Sequence, residues 1–555
     1  MSWIVSPREQ NPATDRSLRE LCREVAGEGR VSAACECGEG AYSARPRDYG
    51  LFVILEDYKD GLRYHARKVN GLPATVLAAD RSLVDLDAHK GAMGEFIVER
   101  LLTPYRTLEN ADLLASIEVD AKERILREEL TELALEYGEM ARELSIRAEY
   151  LMLARIRRRA RVFLPAARTC AILLEPSVRD INLSRMAPGY RGAMDRLVGA
   201  RILRKEGLTY ALEDAFVDQS LSATPATKVI NVVQAGRRAL QAYLAQGRAS
   251  YLTPDVLTRE LMFSLERTLL RDEQPDLLED PKRYLSVKTS TGQISLAERF
   301  SVEKLVGKFR PGVVVTVSPL GSVLNEVYMI TAGNERLVAK KFTDWHSFKW
   351  FAIDLVSLGT RLFSVSGKAR LENEYAMNRL LSRCGVCVPE ILHVSLPDRI
   401  LVQRYVEGSS LVELVERAVS SRPLSRQDLG VASKVGSTLA KIHASSVAMG
   451  DSKPENFLYS IDGEVYCLDL EQARKSVDKA WDVAEFLYYS GHYAFPTVPS
   501  SGFKEYVNAF IEGYRNQGDR STLNAAASVK YARVFSLWTS PLALREISRA
   551  LRRAA

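Results

Sequence analysis

The sequence has 555 residues, and at roughly 150 residues per domain that length predicts about three to four domains. Its 46% hydrophobic and 26% charged content excludes a largely disordered, collagenous or multi-spanning membrane chain. The net charge of +6, from 76 basic and 70 acidic side chains, is too mild to imply nucleic acid by itself. The opening residues, Met1-Ser-Trp-Ile-Val-Ser-Pro-Arg8, lack the basic-then-apolar pattern of a secretory signal. No run of about 18 apolar residues suggests membrane insertion. Seven cysteines without regular spacing fit a reducing compartment better than a disulfide scaffold, so a cytoplasmic multidomain protein is expected.

Taken in chain order, residues 1–110 read as a small α/β domain. Leu51-Phe-Val-Ile-Leu55 and Ala74-Thr-Val-Leu-Ala-Ala79 are strand-length apolar runs, and Gly94–Leu102 reads as a helix ending near Pro104. Residues 111–300 read as helical, because Leu114, Ile117, Ala121 and Ile125 recur three or four apart. Further helices are predicted near 139–163, 190–206, 228–247 and 254–271. The charged, Pro-containing stretch 271–281 reads as a linker. Tyr190–Asp218 carries the helix–turn–strand order of a winged helix, a likeness of fold alone. From 313 the chain turns β-rich at Val313–Val317, Val327–Ile330 and Arg336–Phe342, and later becomes helical.

Three weaker signals each have two readings. Arg155, Arg157, Arg158, Arg159, Arg161 and Arg168 could track the phosphates of RNA. They could equally form a solvated helix face paired with Glu139, Glu143 and Glu149. Cys384-Gly-Val-Cys387 has no second pair to complete a four-ligand zinc site, so reduced thiols are expected. His443, on the apolar helix before the most specific loop, reads as a packing or bracing residue.

That loop is Met449-Gly-Asp-Ser-Lys-Pro-Glu-Asn456. Phosphoryl transfer needs a carboxylate facing the acceptor hydroxyl, and a second carboxylate with an amide oxygen holding Mg²⁺ against the phosphates. Asp451 and Asn456, with Lys453 between them, have the spacing of a kinase catalytic loop. Val465-Tyr-Cys-Leu-Asp469 then delivers the second carboxylate, Asp469. Upstream, Leu337-Val-Ala-Lys-Lys341 matches the strand whose final lysine meets ATP phosphates, which assigns that role to Lys341 and points Lys340 to the opposite face. Glu374 is preferred over Glu372 as its partner acid, because it shares a helix face with Met377, Asn378 and Leu381. Gly321 and Ser322 lie in the turn positioned to cover the phosphates. Backbone groups near Arg404 and Val406 are expected to contact adenine.

On these motifs residues 313–555 resemble the protein-kinase-like superfamily, in its atypical branch with the RIO kinases and the kinase subunit of the KEOPS tRNA-modification complex. Aminoglycoside and lipopolysaccharide kinases are more distant. The resemblance implies an α+β multidomain protein whose C-terminal domain is bilobal, using ATP and Mg²⁺ to phosphorylate a Ser or Thr hydroxyl of a protein substrate. It also implies that Asp482, in Asp478-Lys-Ala-Trp-Asp482, braces the catalytic loop. Met449 replaces the family's His, and Asp-Leu-Glu471 stands where conventional kinases have Asp-Phe-Gly. Only 13 residues separate Asp469 from Asp482, too few for the usual peptide platform. An RNA-associated scaffold or ATPase, or a small-molecule kinase, is the alternative. Residues 1–110 weakly resemble nucleotidyltransferases through Gly38, Gly40, Asp48 and Asp80. The missing second carboxylate of the acid pair points to a non-catalytic version, since two-metal catalysis needs converging acids.

Overall fold

The computed structural model describes residues 12–27, 29–43, 47–162, 171–222, 280–309, 313–320, 325–344, 366–420, 423–475, 478–494, 500–537 and 539–555. The protein is multidomain with mixed α/β architecture and forms two compact units: Met1–Glu136 with Leu144–Leu285, and Tyr137–Glu143 with Ser286–Ala555. The helices expected at 228–247 and 254–271 lie outside the described residues, as does most of the 271–281 linker.

In the first unit, helix α1 (Pro12–Ala26) precedes strands β1 (Arg30–Cys37), β2 (Tyr49–Glu56), β3 (Leu62–Val69) and β4 (Leu72–Asp80). Helix α2 (Arg81–Lys90), strand β5 (Arg106–Glu109) and helix α3 (Ala111–Tyr137) follow. The sheet order is β3-β4-β2-β1-β5, with β2 and β4 parallel and the other pairs antiparallel. Both faces are covered, which is why β2 is an unbroken apolar run rather than an alternating one. Leu51, Val53 and Leu55 face Leu18, Leu21 and Val25 of α1. Phe52 and Ile54 face Val84 of α2 and Leu114, Ile117 and Ala121 of α3. The core on that side therefore runs across residue 110.

The helix expected over Gly94–Leu102 is reduced to one turn, Glu99–Leu102. Its upstream amides are taken instead by the buried Asp87 carboxylate, which accepts from Met93, Glu95, Ile97 and Val98 at 3.0–3.2 Å. Asp80 caps α2 through the Ser82 amide at 2.9 Å and also accepts from the Tyr58 amide at 2.8 Å. Its carboxylate thus serves the backbone.

The expected helix 139–163 is interrupted by strand β6 (Leu144–Arg147) and continues as α4 (Ala148–Val162). Helix α5 (Arg179–Gly199) leads into the hairpin β7 (Leu203–Glu206) and β8 (Thr209–Leu212), then α6 (Asp214–Ser222). Within the arginine run, Arg155 bonds Glu95 and reaches Glu129 at 3.2 Å, and Arg157 pairs with Asp280 at 2.6 Å. Those two guanidiniums are occupied by carboxylates. The side chains of Arg158, Arg159, Arg161 and Arg168 lie outside the described residues.

The second unit opens with the hairpin β9 (Leu285–Thr289) and β10 (Gly292–Ser295) and helix α7 (Val302–Phe309). A five-stranded antiparallel sheet follows, built from β11 (Val315–Pro319), β12 (Glu326–Ala332), β13 (Glu335–Lys341), β14 (Ile391–Ser395) and β15 (Ile400–Arg404) in the order β11-β12-β13-β15-β14. Helix α8 (Gly367–Arg383) lies between β13 and β14 in the chain. Leu337 and Ala339 of β13 share a core with Leu305 and Val306 of α7. By strand alternation Val338 and Lys340 project to the other face.

The remainder is helical with short strands: β16 (Gly408–Ser410), α9 (Leu411–Val419), α10 (Arg426–Ala444), β17 (Val447–Ala448), β18 (Phe457–Ser460), β19 (Val465–Cys467), β20 (Arg474–Lys475), α11 (Ala480–Ser490), α12 (Ser501–Arg515), α13 (Arg520–Ala526), α14 (Val529–Phe535) and α15 (Pro541–Ala554). Helices α10 and α12 meet backbone to backbone. A Cβ on Gly436 would lie 2.0 Å from the Phe510 carbonyl oxygen, and one on Gly513 1.9 Å from that of Ser433. This close crossing fixes the end of α10 and hence the loop after it. Among the described residues no helix is long and apolar enough to cross a membrane.

Candidate functional site

The loop between β17 and β18 carries Asp451 and Asn456. Two antiparallel pairs hold it, β17 with β20 and β18 with β19. Gly450 has φ +77°, a conformation that a residue with a Cβ adopts only under strain. Asp482, fully buried on α11, accepts from the Met449 amide at 2.6 Å and the Gly450 amide at 2.8 Å. It also meets His443 Nε2 at 3.0 Å, and His443 Nδ1 lies 2.7 Å from the Tyr514 hydroxyl. His443 is therefore part of the brace, joining α10, α11 and α12.

Asn456 donates from Nδ2 to the Asp451 carbonyl at 2.8 Å, which leaves its Oδ1 as an oxygen donor. Its own carbonyl accepts from the Leu468 amide at 2.9 Å, tying the loop to the segment that delivers Asp469. The Asp451 carboxylate, half-buried, pairs with Lys453 Nζ at 2.9 Å. Burial would lower the Lys453 ammonium, but Asp451 and Glu485 outweigh it and hold the group above its ordinary range.

Glu485 was not evident from the loop motif, although it lies three residues after Asp482 on the same helix face. Its Oε2 accepts from the Ser452 amide at 2.7 Å, the Ser452 hydroxyl at 3.1 Å and the Trp481 indole at 3.1 Å. Burial, with Asp451 adding to it, pushes its carboxyl from 4.5 up to about 8. A raised acid binds its proton more tightly in the folded chain, so its stabilising contribution is full below the unfolded value and is lost as pH rises through the folded one. Glu485→Gln imitates the protonated side chain. It is expected to flatten the fall in unfolding midpoint that the wild type shows from about pH 5 to about pH 9. Parallel curves for the two proteins would contradict this.

The lysine expected at the phosphates was Lys341; the structure places that side chain elsewhere. Lys341 shares the parity of Leu337 and Ala339, and at the strand end it is 45% exposed, paired with Glu326 at 3.0 Å. The inward-turned ammonium is that of Lys340, part-buried, which donates to Glu374 Oε1 at 3.1 Å and to the Leu468 carbonyl at 2.6 Å. Burial would lower it, yet Glu374 and Asp469 hold it above the ordinary lysine range. By strand alternation Lys340, one residue before the lysine the motif match named, is on the face that meets Glu374.

Glu374 is the acid the lysine meets, whereas Glu372 is 3.5 Å from Lys368. Glu374 also accepts from the Leu470 amide at 2.5 Å and from Gln403 at 3.3 Å. Lys340 and Glu374 thus hold both flanks of Asp469. The expected adenine contacts are divided. The Arg404 amide is already donated to the Glu390 carbonyl at 2.9 Å, and its side chain pairs with Glu390 and Glu335. Val406 is half-buried beyond the strand end. Gly321 and Ser322 lie outside the described residues.

Asn373, on the same helix as Glu374, donates to the carbonyls of Leu470, Glu471 and Ala473. Glu471 itself is buried against the fully buried Arg370 at 3.0 Å and Asn325 at 2.7 Å. Burial and the neighbouring Asp469 push its carboxyl up to about 7 despite Arg370. The arrangement brings a carboxylate at Asp451, an amide oxygen at Asn456 and a second carboxylate at Asp469 to one group of elements with the inward-turned Lys340. One carboxylate and one amide suit Mg²⁺, which keeps several waters and takes its other ligands from substrate phosphates.

No family model matches the chain. It is 31% identical over 112 residues to the KEOPS complex subunit Bud32 of Pyrococcus abyssi, covering 20% of this chain and 48% of that protein. It is 26% identical over 156 residues to a probable bifunctional tRNA threonylcarbamoyladenosine biosynthesis protein of Methanocaldococcus jannaschii, covering 28% of this chain and 26% of that protein. The chain thus spans about half or less of the length of the curated relatives it matches. A solved structure of the Rv3197–erythromycin complex from Mycobacterium tuberculosis aligns over 42% of this chain and 71% of that one. Its identity is 14% and its TM-score 0.21, and at that score the likeness carries no inference. The chain shares weak, partial homology with Bud32/KEOPS-like members of the kinase superfamily, and so a general resemblance to ATP-utilising enzymes of that kind.

Proposed function

We propose that this chain is an atypical ATP- and Mg²⁺-dependent phosphotransferase that moves the γ-phosphate of ATP to a Ser or Thr hydroxyl of a protein substrate. In this reading residues 313–555 are a bilobal protein-kinase-like domain. Residues 111–300 and a non-catalytic 1–110 select the target in the cytoplasm. The observation that carries the reading is the junction of Lys340 and Glu374 with both flanks of Asp469.

Lys340 meets the nucleotide phosphates, and Glu374 keeps its ammonium charged and aimed. Asn456 Oδ1 and Asp469 hold Mg²⁺, which when bound supplies charge to the phosphoryl oxygens. Asp451 takes the acceptor's hydroxyl proton, and Lys453 steadies its carboxylate. Asp482 holds the loop in place. The short, stapled segment after Asp469 also suits an ATPase or a small-molecule kinase, because Asn373 and β17 already occupy residues 470–475. RNA association would then rest on the arginines beyond Arg157.

Titrating ATP with and without Mg²⁺ tests the reading. Lys340→Met removes a charge-assisted contact and should weaken ATP binding about tenfold or more. Lys341→Met, a change at an exposed pair, should stay within about twofold of wild type. Equal losses in both variants, or no ATP binding by the wild type, would defeat the assignment.

A further inference from the structure

Two residues beyond Asp469, the second unit contains a closed polar triangle that the transfer chemistry above does not use. Arg370 Nη1 donates to Glu471 Oε1 at 3.1 Å, to Glu471 Oε2 at 3.0 Å and to Asn325 Oδ1 at 2.9 Å. Asn325 Nδ2 closes the triangle by donating to Glu471 Oε2 at 2.7 Å. All three side chains are buried, Arg370 completely. Arg370 also donates to the Thr343 carbonyl, just after β13.

The corners come from three separated pieces of chain. Asn325 directly precedes β12. Arg370 lies one turn before Glu374 on α8. Glu471 follows Asp469, and its amide donates to Asp469 Oδ1 at 3.2 Å. A buried ion pair is a poor source of stability, since an apolar set of the same shape commonly does as well. Its distinctive property is geometric: Arg370 Nη1 meets both Glu471 oxygens while Asn325 Nδ2 takes Oε2 from a second side, and the two contacts together leave the carboxylate one orientation. Glu471 is thereby fixed in rotation, and its amide presents one face to Asp469.

We propose that Arg370, Asn325 and Glu471 are positioning residues that hold the Asp469 carboxylate in its metal-binding orientation and register it to the start of β12. This rests on the phosphotransferase reading above. Glu471 stands at the glycine position of Asp-Phe-Gly segments, so that position carries a clamp here and the metal-binding acid is held in place before nucleotide arrives. Groups that orient a metal ligand from behind are worth about ten- to a hundredfold in metal affinity when removed.

The test measures ATP affinity in EDTA and in saturating Mg²⁺ on the full chain, and takes their ratio as the metal-dependent gain. Glu471→Gln keeps the side chain's shape and removes its charge. It should cut that gain about tenfold or more while metal-free affinity stays within about twofold. Asn325→Ala, a milder change that keeps the test usable if Glu471→Gln fails to fold, should cut it about fivefold. Unchanged ratios in both variants would overturn the clamp and leave the phosphotransferase reading standing. Equal loss with and without metal would reduce the triangle to a structural role and also overturn it. A wild type that binds ATP in neither condition would remove the reading and the clamp together.

Discussion

Replacing Asp451 by Asn is expected to lower phosphoryl transfer about a hundred- to ten-thousand-fold, the range for removal of a general base. Mg²⁺-ATP affinity should meanwhile change little. The separation follows from which atoms do what. Asn456 is positioned by the Asp451 backbone carbonyl, not its carboxylate, so the metal-side amide survives the substitution. The carboxylate itself pairs with Lys453. In the variant Glu485 still lies near the Lys453 ammonium, so that charge is not stranded. Labelled γ-phosphate incorporation into extract proteins, alongside ATP titration, gives both readouts. Wild-type transfer by the purified Asp451→Asn protein would show that this loop is not the catalytic one.

The second large effect is on folding. Asp482→Ala should cost about 3–5 kcal/mol, because it removes a buried charged acceptor and strands its donors. The Met449 and Gly450 amides and His443 Nε2 all lose their partner in a buried position. Gly450, in its positive-φ conformation, loses the partner of its amide. The loop carrying Asp451 should loosen with it. Asp482→Asn retains one acceptor oxygen and should fall between wild type and Ala. Denaturant unfolding measures the difference, and a loss under about 1 kcal/mol for Ala would show that the brace contributes little.

Much of the sheet and helix content was legible because it rests on local period. The run Leu51–Leu55 and the segment 74–79 are strands slightly longer than their apolar cores, and the i, i+3, i+4 stripe over Leu114–Ile125 is a single helix. The Gly94–Leu102 region misled because its amides bond a carboxylate from another element, and periodicity carries no sign of that. The hairpin β7–β8 follows a helix, but the helix expected at 190–206 starts at Arg179, ends at Gly199 and gives way to β7 at Leu203–Glu206. Strand β1 was not foreseen. Its sequence, Arg-Val-Ser-Ala-Ala-Cys-Glu-Cys37, has small residues at most core positions and shows little apolar contrast.

What the sequence by itself determined is the order and spacing of the chemistry: Asp451 five residues before Asn456, Asp469 at the end of a short strand, and Asp482 on the next helix. Those relations depend on the length of chain between groups, which is local. Which lysine faces inward was decided only in the tertiary structure. Lys340 and Lys341 are adjacent and chemically identical, and they differ only in which layer, α7 or α8, their face of β13 meets. The same holds for Glu471, whose meaning comes from Arg370, 101 positions away, and for Glu485, whose raised carboxyl depends on α11 and the loop after β17 closing around it. A charge in sequence is only a charge; its partner, and therefore its role, is set by which surfaces the core brings together.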